Sequence, residues 1–354
     1  MNPIRHTNSF CPECYRELPA IVGIENGSVI MFKGCPVHGR FRSLVERSAS
    51  FYESIYSRPS RTIYDGYLVD VTRRCNLRCE YCYYPLEAHD PEGMFTIESV
   101  LSDCAANAHL QPFVLTGGEP TLRKDIVELV DKVTQLGKTE MLTNGVDLAE
   151  PEFFDQLAPA LTWSDSGVTA IHLSVHPETD KWIKTLALVK ERGLILGSLL
   201  IVVDSKQEFM DALEICKRCE DLALCFRIKA ASRIWNEQKP KQKIFVSDML
   251  SWLDGYEIIT DRDNKSVFVN VRWNGLWLML VSWHDVFNVD LHDIACPPYY
   301  RARNGQVANF VTAGLINEGM QKGFLNGQRI PHVKTFEELN AEALESQLSG
   351  RGMP

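Results

Sequence analysis

Six short runs of apolar residues recur along the middle of the chain, and stretches with helical spacing of apolar positions lie between them. The runs are GYLVDVT (66–72), PFVLTGG (112–118), TEMLTNG (139–145), AIHLSV (170–175), LGSLLIVV (196–203) and LCFRIKA (224–230). The helical stretches include IESVLSDCAANA, DIVELVDKVTQLG and KWIKTLALVKERG. Strands that alternate with helices predict right-handed β/α units and a parallel sheet. Six units are too few to close an eight-stranded barrel, so we predict an α/β fold with a partial (β/α)6 TIM-like barrel.

The pattern changes after about residue 245. The stretch VFVNVRWNGLWLMLVSW (267–283) predicts a β-hairpin, because β-rich runs flank the turn-forming pair Asn274-Gly275. Helices are predicted beyond it, near 305–319 and near 335–348.

These patterns predict three parts. A metal-binding segment covers 1–62, the partial barrel covers 63–245, and an α+β extension covers 246–354.

Composition narrows the class of protein. The 354 residues are 45% hydrophobic and 23% charged, which are ordinary values for a globular chain. No apolar run is long enough to predict a membrane span, and the first residues lack the apolar stretch of a secretion signal. We therefore expect a cytoplasmic protein, whose eleven cysteines stay reduced and more often bind metal than form disulfides. The formal net charge of −9 argues against a nucleic-acid-binding protein.

Three cysteines crowd the segment CNLRCEYC, which directly follows the first predicted strand. Cys75, Cys79 and Cys82 have the spacing C-x3-C-x2-C, and no fourth cysteine follows at ligand distance. Thiolates hold iron–sulfur clusters, and a four-iron cluster with three cysteine ligands keeps one iron open for another molecule. The alternatives are a zinc site or unligated cysteines; zinc motifs favour C-x2-C pairs over this spacing.

This spacing, with Tyr81 before the last cysteine, resembles the signature of the radical S-adenosylmethionine (SAM) superfamily. The resemblance spans about residues 66–230. It implies a [4Fe–4S] cluster whose open iron binds the methionine part of SAM, and reductive cleavage of SAM to a 5′-deoxyadenosyl radical that abstracts a hydrogen atom. It also implies a reducing partner such as flavodoxin or ferredoxin, and a substrate that is not identified.

Polar residues end the later strands, where SAM would lie. The second predicted strand ends in TGGEP, and the resemblance implies that Gly117, Gly118, Glu119 and Pro120 help to bind SAM, with Glu119 near its amino group. A plain strand-to-helix turn explains this segment alone just as well.

Further strand-end residues are candidates for SAM contacts, with turn or helix-capping roles as the alternative. They are Thr143, Asn144, Ser174 and His176. No side chain is predicted to be catalytic in its own right.

The N-terminal segment carries a second metal motif. Cys11, Cys14, Cys35 and His38 form two turns, CPEC and CPVH, which together offer the closed tetrahedral set of a structural zinc site. A rubredoxin-type iron site and unligated cysteines are the alternatives. Such a segment ahead of a radical SAM core resembles a subgroup that methylates pterin precursors or joins lipid chains into tetraethers.

Other polar residues are expected to be structural. Cys216, Cys219 and Cys225 fit buried positions better than a second cluster. Arg227 and Lys229 lie on the sixth strand, where either could meet a carboxylate, but ordinary charge pairing at the surface or core edge is expected.

The residues thus predict a radical SAM enzyme of the transferase or carbon–carbon bond-forming type, which abstracts hydrogen from an unactivated carbon. The competing hypothesis is a non-catalytic iron–sulfur or zinc protein with a regulatory or nucleic-acid-binding role.

Overall fold

The computed structural model of the chain begins with an antiparallel sheet, whose strands carry alternating buried and exposed positions. The structure describes residues 2–56, 66–82, 84, 86–163, 166–231, 243–262, 264–282, 299–301 and 307–309. The sheet has the order β1-β2-β3-β4. Its elements are β1 (Asn2–Phe10), β2 (Glu17–Glu25), β3 (Ser28–Cys35) and β4 (Gly39–Glu46), followed by α1 (Ala49–Tyr56).

A two-residue turn joins β2 to β3. Asn26 and Gly27 both have positive φ, 50° and 77°, which the tightest hairpin turns require. The sheet packs α1 through a small apolar core that includes Val22, Met31 and Tyr52. The sequence patterns placed a metal-binding segment here but did not predict this sheet.

The six predicted strands of the middle region form the parallel centre of a second sheet. They are β5 (Tyr67–Thr72), β6 (Phe113–Gly117), β7 (Thr139–Thr143), β8 (Val168–Val175), β9 (Ile195–Val203) and β10 (Phe226–Ala230). Neighbours in the chain are neighbours in the sheet, and each pair is parallel. The helices between them are α2 (Ile97–Ala106), α3 (Ile126–Thr134), α4 (Pro151–Leu157), α5 (Lys181–Glu191) and α6 (Lys206–Arg218). The predicted β/α units are therefore present, while their curvature into a partial barrel stays a prediction.

Further strands extend both edges of this parallel centre. After α7 (Val246–Ser251) come β11 (Glu257–Ile258), β12 (Phe268–Trp273), β13 (Leu276–Val281), β14 (Tyr299–Arg301) and β15 (Val307–Asn309). β13 pairs in parallel with β10, and β14 pairs in parallel with β5. The described strands of this sheet have the order β11-β12-β13-β10-β9-β8-β7-β6-β5-β14-β15.

The C-terminal predictions had mixed outcomes. The hairpin is confirmed, since β12 and β13 pair around Asn274 and Gly275, which have φ values of 47° and 83°. The helix near 305–319 was wrong at its start, because Val307–Asn309 is a strand that pairs with β14. The rest of that range and the helix near 335–348 lie outside the described residues.

The two faces of the central sheet differ in chemistry. One face packs α2–α6 through an apolar core, to which β8 contributes Ile171, Leu173 and Val175. Because side chains alternate along a strand, His172 and Ser174 lie on the other face, called the polar face below. In the described part of the chain, no helix is long and apolar enough to cross a membrane.

Candidate active site at the strand ends

The three-cysteine loop begins directly after β5, and the carboxylate of Asp90 fixes the start of the loop. Asp90 accepts hydrogen bonds from the Thr72 hydroxyl (2.8 Å), the Arg73 backbone N–H (2.7 Å) and the Arg74 Nε (3.0 Å). These bonds fix the direction in which the chain leaves the strand. The position of Cys75, just beyond the carboxyl end of β5, is thereby fixed.

Two glycines at the end of β6 let the backbone of the cysteine loop come close. An added Cβ on Gly117 would lie 2.2 Å from the Thr72 carbonyl oxygen, and one on Gly118 would lie 2.1 Å from that of Arg74. Gly117 also has a φ of +138°, which favours glycine. The contact is made by hydrogen bonds from the backbone N–H of Gly118 to Thr72 O (2.9 Å) and of Glu119 to Arg74 O (2.8 Å). The glycines thus serve the approach of two backbone segments to each other.

Glu119 fastens the end of β6 to the end of β7. Its carboxylate is 1% exposed. It accepts hydrogen bonds from the Thr121 N–H (3.1 Å) and hydroxyl (2.7 Å), the Thr143 hydroxyl (2.8 Å) and the Asn144 N–H (2.7 Å). Burial raises the pKa of Glu119, and these hydrogen bonds act in the opposite direction. Pro120 is buried at the start of the 3-10 turn Pro120–Leu122 that follows.

Asn144 reaches from β7 to the cysteine loop. Its Nδ2 donates to Asn76 Oδ1 (2.7 Å) and lies 3.9 Å from Cys75 Sγ. Its Oδ1 accepts from the Val146 N–H (3.0 Å). Of the two residues predicted at this strand end, Asn144 contacts the cysteine loop, whereas the Thr143 hydroxyl bonds to Glu119.

His176 stands at the end of β8 against the cysteine loop. Its Nδ1 lies 3.2 Å from Cys79 Sγ and 2.9 Å from the Tyr81 hydroxyl, and the two rings stack at 6.1 Å. Burial lowers the pKa of His176, so the imidazole is neutral near pH 7. Ser174 lies half-buried two residues earlier, on the polar face.

Glu178 joins this group and was not predicted. One ligand atom from each of Cys79, His176 and Glu178 lies within 4.8 Å of the others. The sequence feature that could have indicated Glu178 is its position two residues after His176, just past a strand end.

The three thiols suit an iron–sulfur cluster by donor type and by their position on one loop. Burial raises the pKa of Cys75, Cys79 and Cys82, to about 12 for Cys79, and nearby thiols raise those of Cys75 and Cys79 further. Soft thiolates on one loop are the ligands that iron–sulfur clusters take. Their protons would leave on binding, as they do at other metal–thiolate sites. The residues present therefore fit the cluster.

The N-terminal motif gathers into one compact site. Cys14 Sγ lies 3.9 Å from Cys35 Sγ, and His38 Nδ1 lies 3.6 Å from Cys11 Sγ and 3.5 Å from Cys35 Sγ. Zinc–sulfur bonds of about 2.3 Å and zinc–nitrogen bonds of about 2.0 Å give tetrahedral edges of about 3.8 and about 3.5 Å. The four ligand atoms thus have the spacing of a zinc tetrahedron.

The electrostatics of this site also favour metal. Burial tends to raise the pKa of Cys35, but hydrogen bonds from the backbone of Val37 and His38 outweigh it and lower that pKa to about 6. A thiolate, the form that binds metal, is therefore favoured at Cys35.

Comparisons with known proteins agree with both sites. Residues 3–47 match the family model described as the HMPTM N-terminal zinc ribbon domain. Residues 69–218 match the model of the radical SAM superfamily. This match supports assignment of residues 69–218 to the radical SAM superfamily. Its zinc ribbon precedes the radical SAM domain, and the superfamily match ends before β10.

Two curated relatives of this chain have different activities in their names. One is the 7,8-dihydro-6-hydroxymethylpterin dimethyltransferase of Methanocaldococcus jannaschii, 25% identical over 215 residues, which are 50% of this chain and 40% of that protein. Another is a GTP 3′,8-cyclase of Haemophilus influenzae, 32% identical over 115 residues, which are 30% of this chain and 32% of that protein. The chain thus spans less than half the length of these relatives.

A solved structure shows a weaker likeness. Streptococcus suis SuiB bound to S-adenosylmethionine aligns with a TM-score of 0.42 and 14% identity, over 69% of this chain and 68% of that one. A TM-score this low carries no structural argument.

Three further cysteines, Cys216, Cys219 and Cys225, are buried, at 0%, 8% and 5% exposure. Their burial is what the core interpretation predicted.

Proposed function

We propose that the chain cleaves SAM reductively at a [4Fe–4S] cluster held by Cys75, Cys79 and Cys82. The observation that carries this proposal is the three-thiol loop, fastened to the ends of β5, β6 and β7 by Asp90, the two glycines and Asn144. When bound, the cluster would supply one electron to SAM, and the resulting 5′-deoxyadenosyl radical would abstract hydrogen from an unactivated carbon of the substrate.

The residues of the chain divide into those that bind SAM and those that position them. SAM is bound beside the cysteines by the backbone of Gly118 to Pro120. Side chains of the same chain complete this binding set: Tyr81, Asn144, Ser174 and His176. Glu119 acts mainly through position, because four donors of the chain already occupy its carboxylate. Thr143 supports Glu119 in the same way.

The reaction class follows from the resemblance and the relatives. Methylation or carbon–carbon bond formation on the substrate is the proposed outcome, since the relatives are named as a dimethyltransferase and a cyclase. The N-terminal site holds structural zinc, in keeping with its tetrahedral spacing. A small redox protein such as flavodoxin or ferredoxin supplies the electron.

The test is 5′-deoxyadenosine formation by the full chain. Protein reconstituted anaerobically with iron and sulfide, reduced with dithionite and given SAM should form 5′-deoxyadenosine, measured by liquid chromatography. Cys79→Ala should abolish the product, whereas Cys104→Ala, which alters a buried cysteine of α2 outside the loop, should retain it. Product from the Cys79 variant, or none from protein with a full complement of iron, would refute the proposal.

A further inference from the structure

The polar face of the central sheet carries charges where a β/α barrel usually places branched apolar residues. In β7–β9 it presents Glu140, His172 and Ser198, which form one hydrogen-bonded chain. His172 Nε2 lies 2.8 Å from Glu140 Oε2, and its Nδ1 lies 2.8 Å from Ser198 Oγ. Arg227 and Lys229 occupy this face on β10, since Phe226 and Ile228 belong to the core under the helices.

Arg227 has no partner among the residues that the structure describes. Its Nε is buried and makes no hydrogen bond, and it forms no ion pair with any described residue. The expectation that it would form an ordinary charge pair is therefore wrong within the part of the chain that the structure describes. A buried donor without a partner is costly, which makes a bound molecule the natural acceptor.

Lys229 places a second cation on the same face. It lies two residues beyond Arg227, so the two side chains leave the strand in the same direction, about 7 Å apart. Burial lowers the pKa of Lys229 to about 8, and the charge of a thiolate at Cys82 opposes that shift. Lys229 therefore remains mostly charged near pH 7.

We propose that Arg227 and Lys229 form an anion-binding site for a carboxylate or phosphate group of a molecule held on the polar face. The site rests on the proposed function, because that molecule is the substrate of the radical reaction. Arginine offers a planar fork of donors and lysine a point charge, a combination that suits an oxyanion.

The probe is methyl phosphate, titrated into the full chain and followed by phosphorus NMR line width at constant ionic strength. Wild type should bind it saturably. Arg227→Gln and Lys229→Gln should each weaken binding by about tenfold or more, as expected for loss of a charge-assisted hydrogen bond. Arg227→Lys, which keeps the charge, should weaken it less and guards against a folding artefact. Lys206→Gln, on the exposed start of α6, is the matched control and should bind as wild type does.

SAM binding by the same reconstituted proteins, measured by equilibrium dialysis, identifies the source of the anion. Loss of SAM affinity in both glutamine variants, with methyl phosphate competing against SAM, would assign the site to SAM and overturn the proposal. Unchanged SAM affinity without competition supports a site for the substrate.

Absence of saturable binding by wild type overturns the proposal, as does equal binding by wild type and both glutamine variants. Weakening by Lys206→Gln to the same extent overturns it too. Failure of every protein to form 5′-deoxyadenosine would instead refute the proposed function, while the methyl phosphate titration still tests the anion site.

Discussion

Replacing Gly118 with alanine should displace the cysteine loop without altering any predicted metal ligand. The new Cβ would lie 2.1 Å from the Arg74 carbonyl oxygen, 2.6 Å from its carbon and 3.1 Å from the Arg73 carbonyl carbon. All three are backbone atoms, so no side chain can rotate away. An ordinary contact begins at 3.4 Å, so the two segments must separate by roughly 1 Å or more, which would also strain the hydrogen bond from the Glu119 N–H to Arg74 O.

The expected costs follow from that displacement. Overpacking of this kind lowers the free energy of unfolding by about 1–3 kcal/mol. A misplacement of about 1 Å in a reacting group can lower a rate about 100-fold. The assay measures iron per chain, the rate of 5′-deoxyadenosine formation and the thermal melting temperature.

Gly34→Ala is the matched control, because its added Cβ meets nothing within 4 Å and its φ is not positive. It should match wild type in all three measurements. If Gly118→Ala keeps wild-type iron content, rate and melting temperature, the close approach of the two backbones is not needed, and the reasoning fails.

Three more predictions follow from buried polar groups and metal ligands. Glu119→Gln should lower the free energy of unfolding by about 1–3 kcal/mol, because an amide in place of one oxygen cannot satisfy all four donors; an unchanged urea midpoint would contradict this. Cys14→Ser should reduce bound zinc from about one per chain and destabilise the ribbon, whereas wild-type zinc content by elemental analysis would exclude Cys14 as a ligand. Because burial lowers the pKa of His172 below 6.5, the unfolded chain takes up its proton first, and stability should fall as pH drops below about 6.5. His172→Gln should flatten that fall in urea melts between about pH 7.5 and about pH 5.5, and an unchanged slope would count against the assignment.

Local patterns in the sequence were enough to predict the six middle strands and the hairpin that follows them. Each of the six middle strands is a short apolar run bounded by turn residues, and Asn274-Gly275 specifies its hairpin without help from distant contacts. The same turn signal is present at Asn26-Gly27, which joins β2 to β3, but the N-terminal sheet was not predicted from it. The helix expected near 305–319 failed because pairing with β14 makes Val307–Asn309 a strand.

The partners of the site residues could not be predicted in the same way. A role of Gly117 and Gly118 in binding SAM stays a prediction. Their close contact with the cysteine loop was not predicted, because it depends on the parallel register that sets Thr72 opposite Gly117. Glu119 meets Thr143 and Asn144 only because β6 and β7 are neighbours. Such contacts depend on the assembled sheet, which residue spacing alone does not reveal.

The central claim is that three cysteines leave one iron open for SAM. Electron–nuclear double resonance on the reduced, reconstituted protein with SAM labelled by ¹⁵N at its amino group tests this most directly. The account predicts a nitrogen coupling to the cluster that disappears without labelled SAM and is absent in Cys79→Ala. A fully loaded, reduced cluster that shows no coupling at saturating SAM would contradict it.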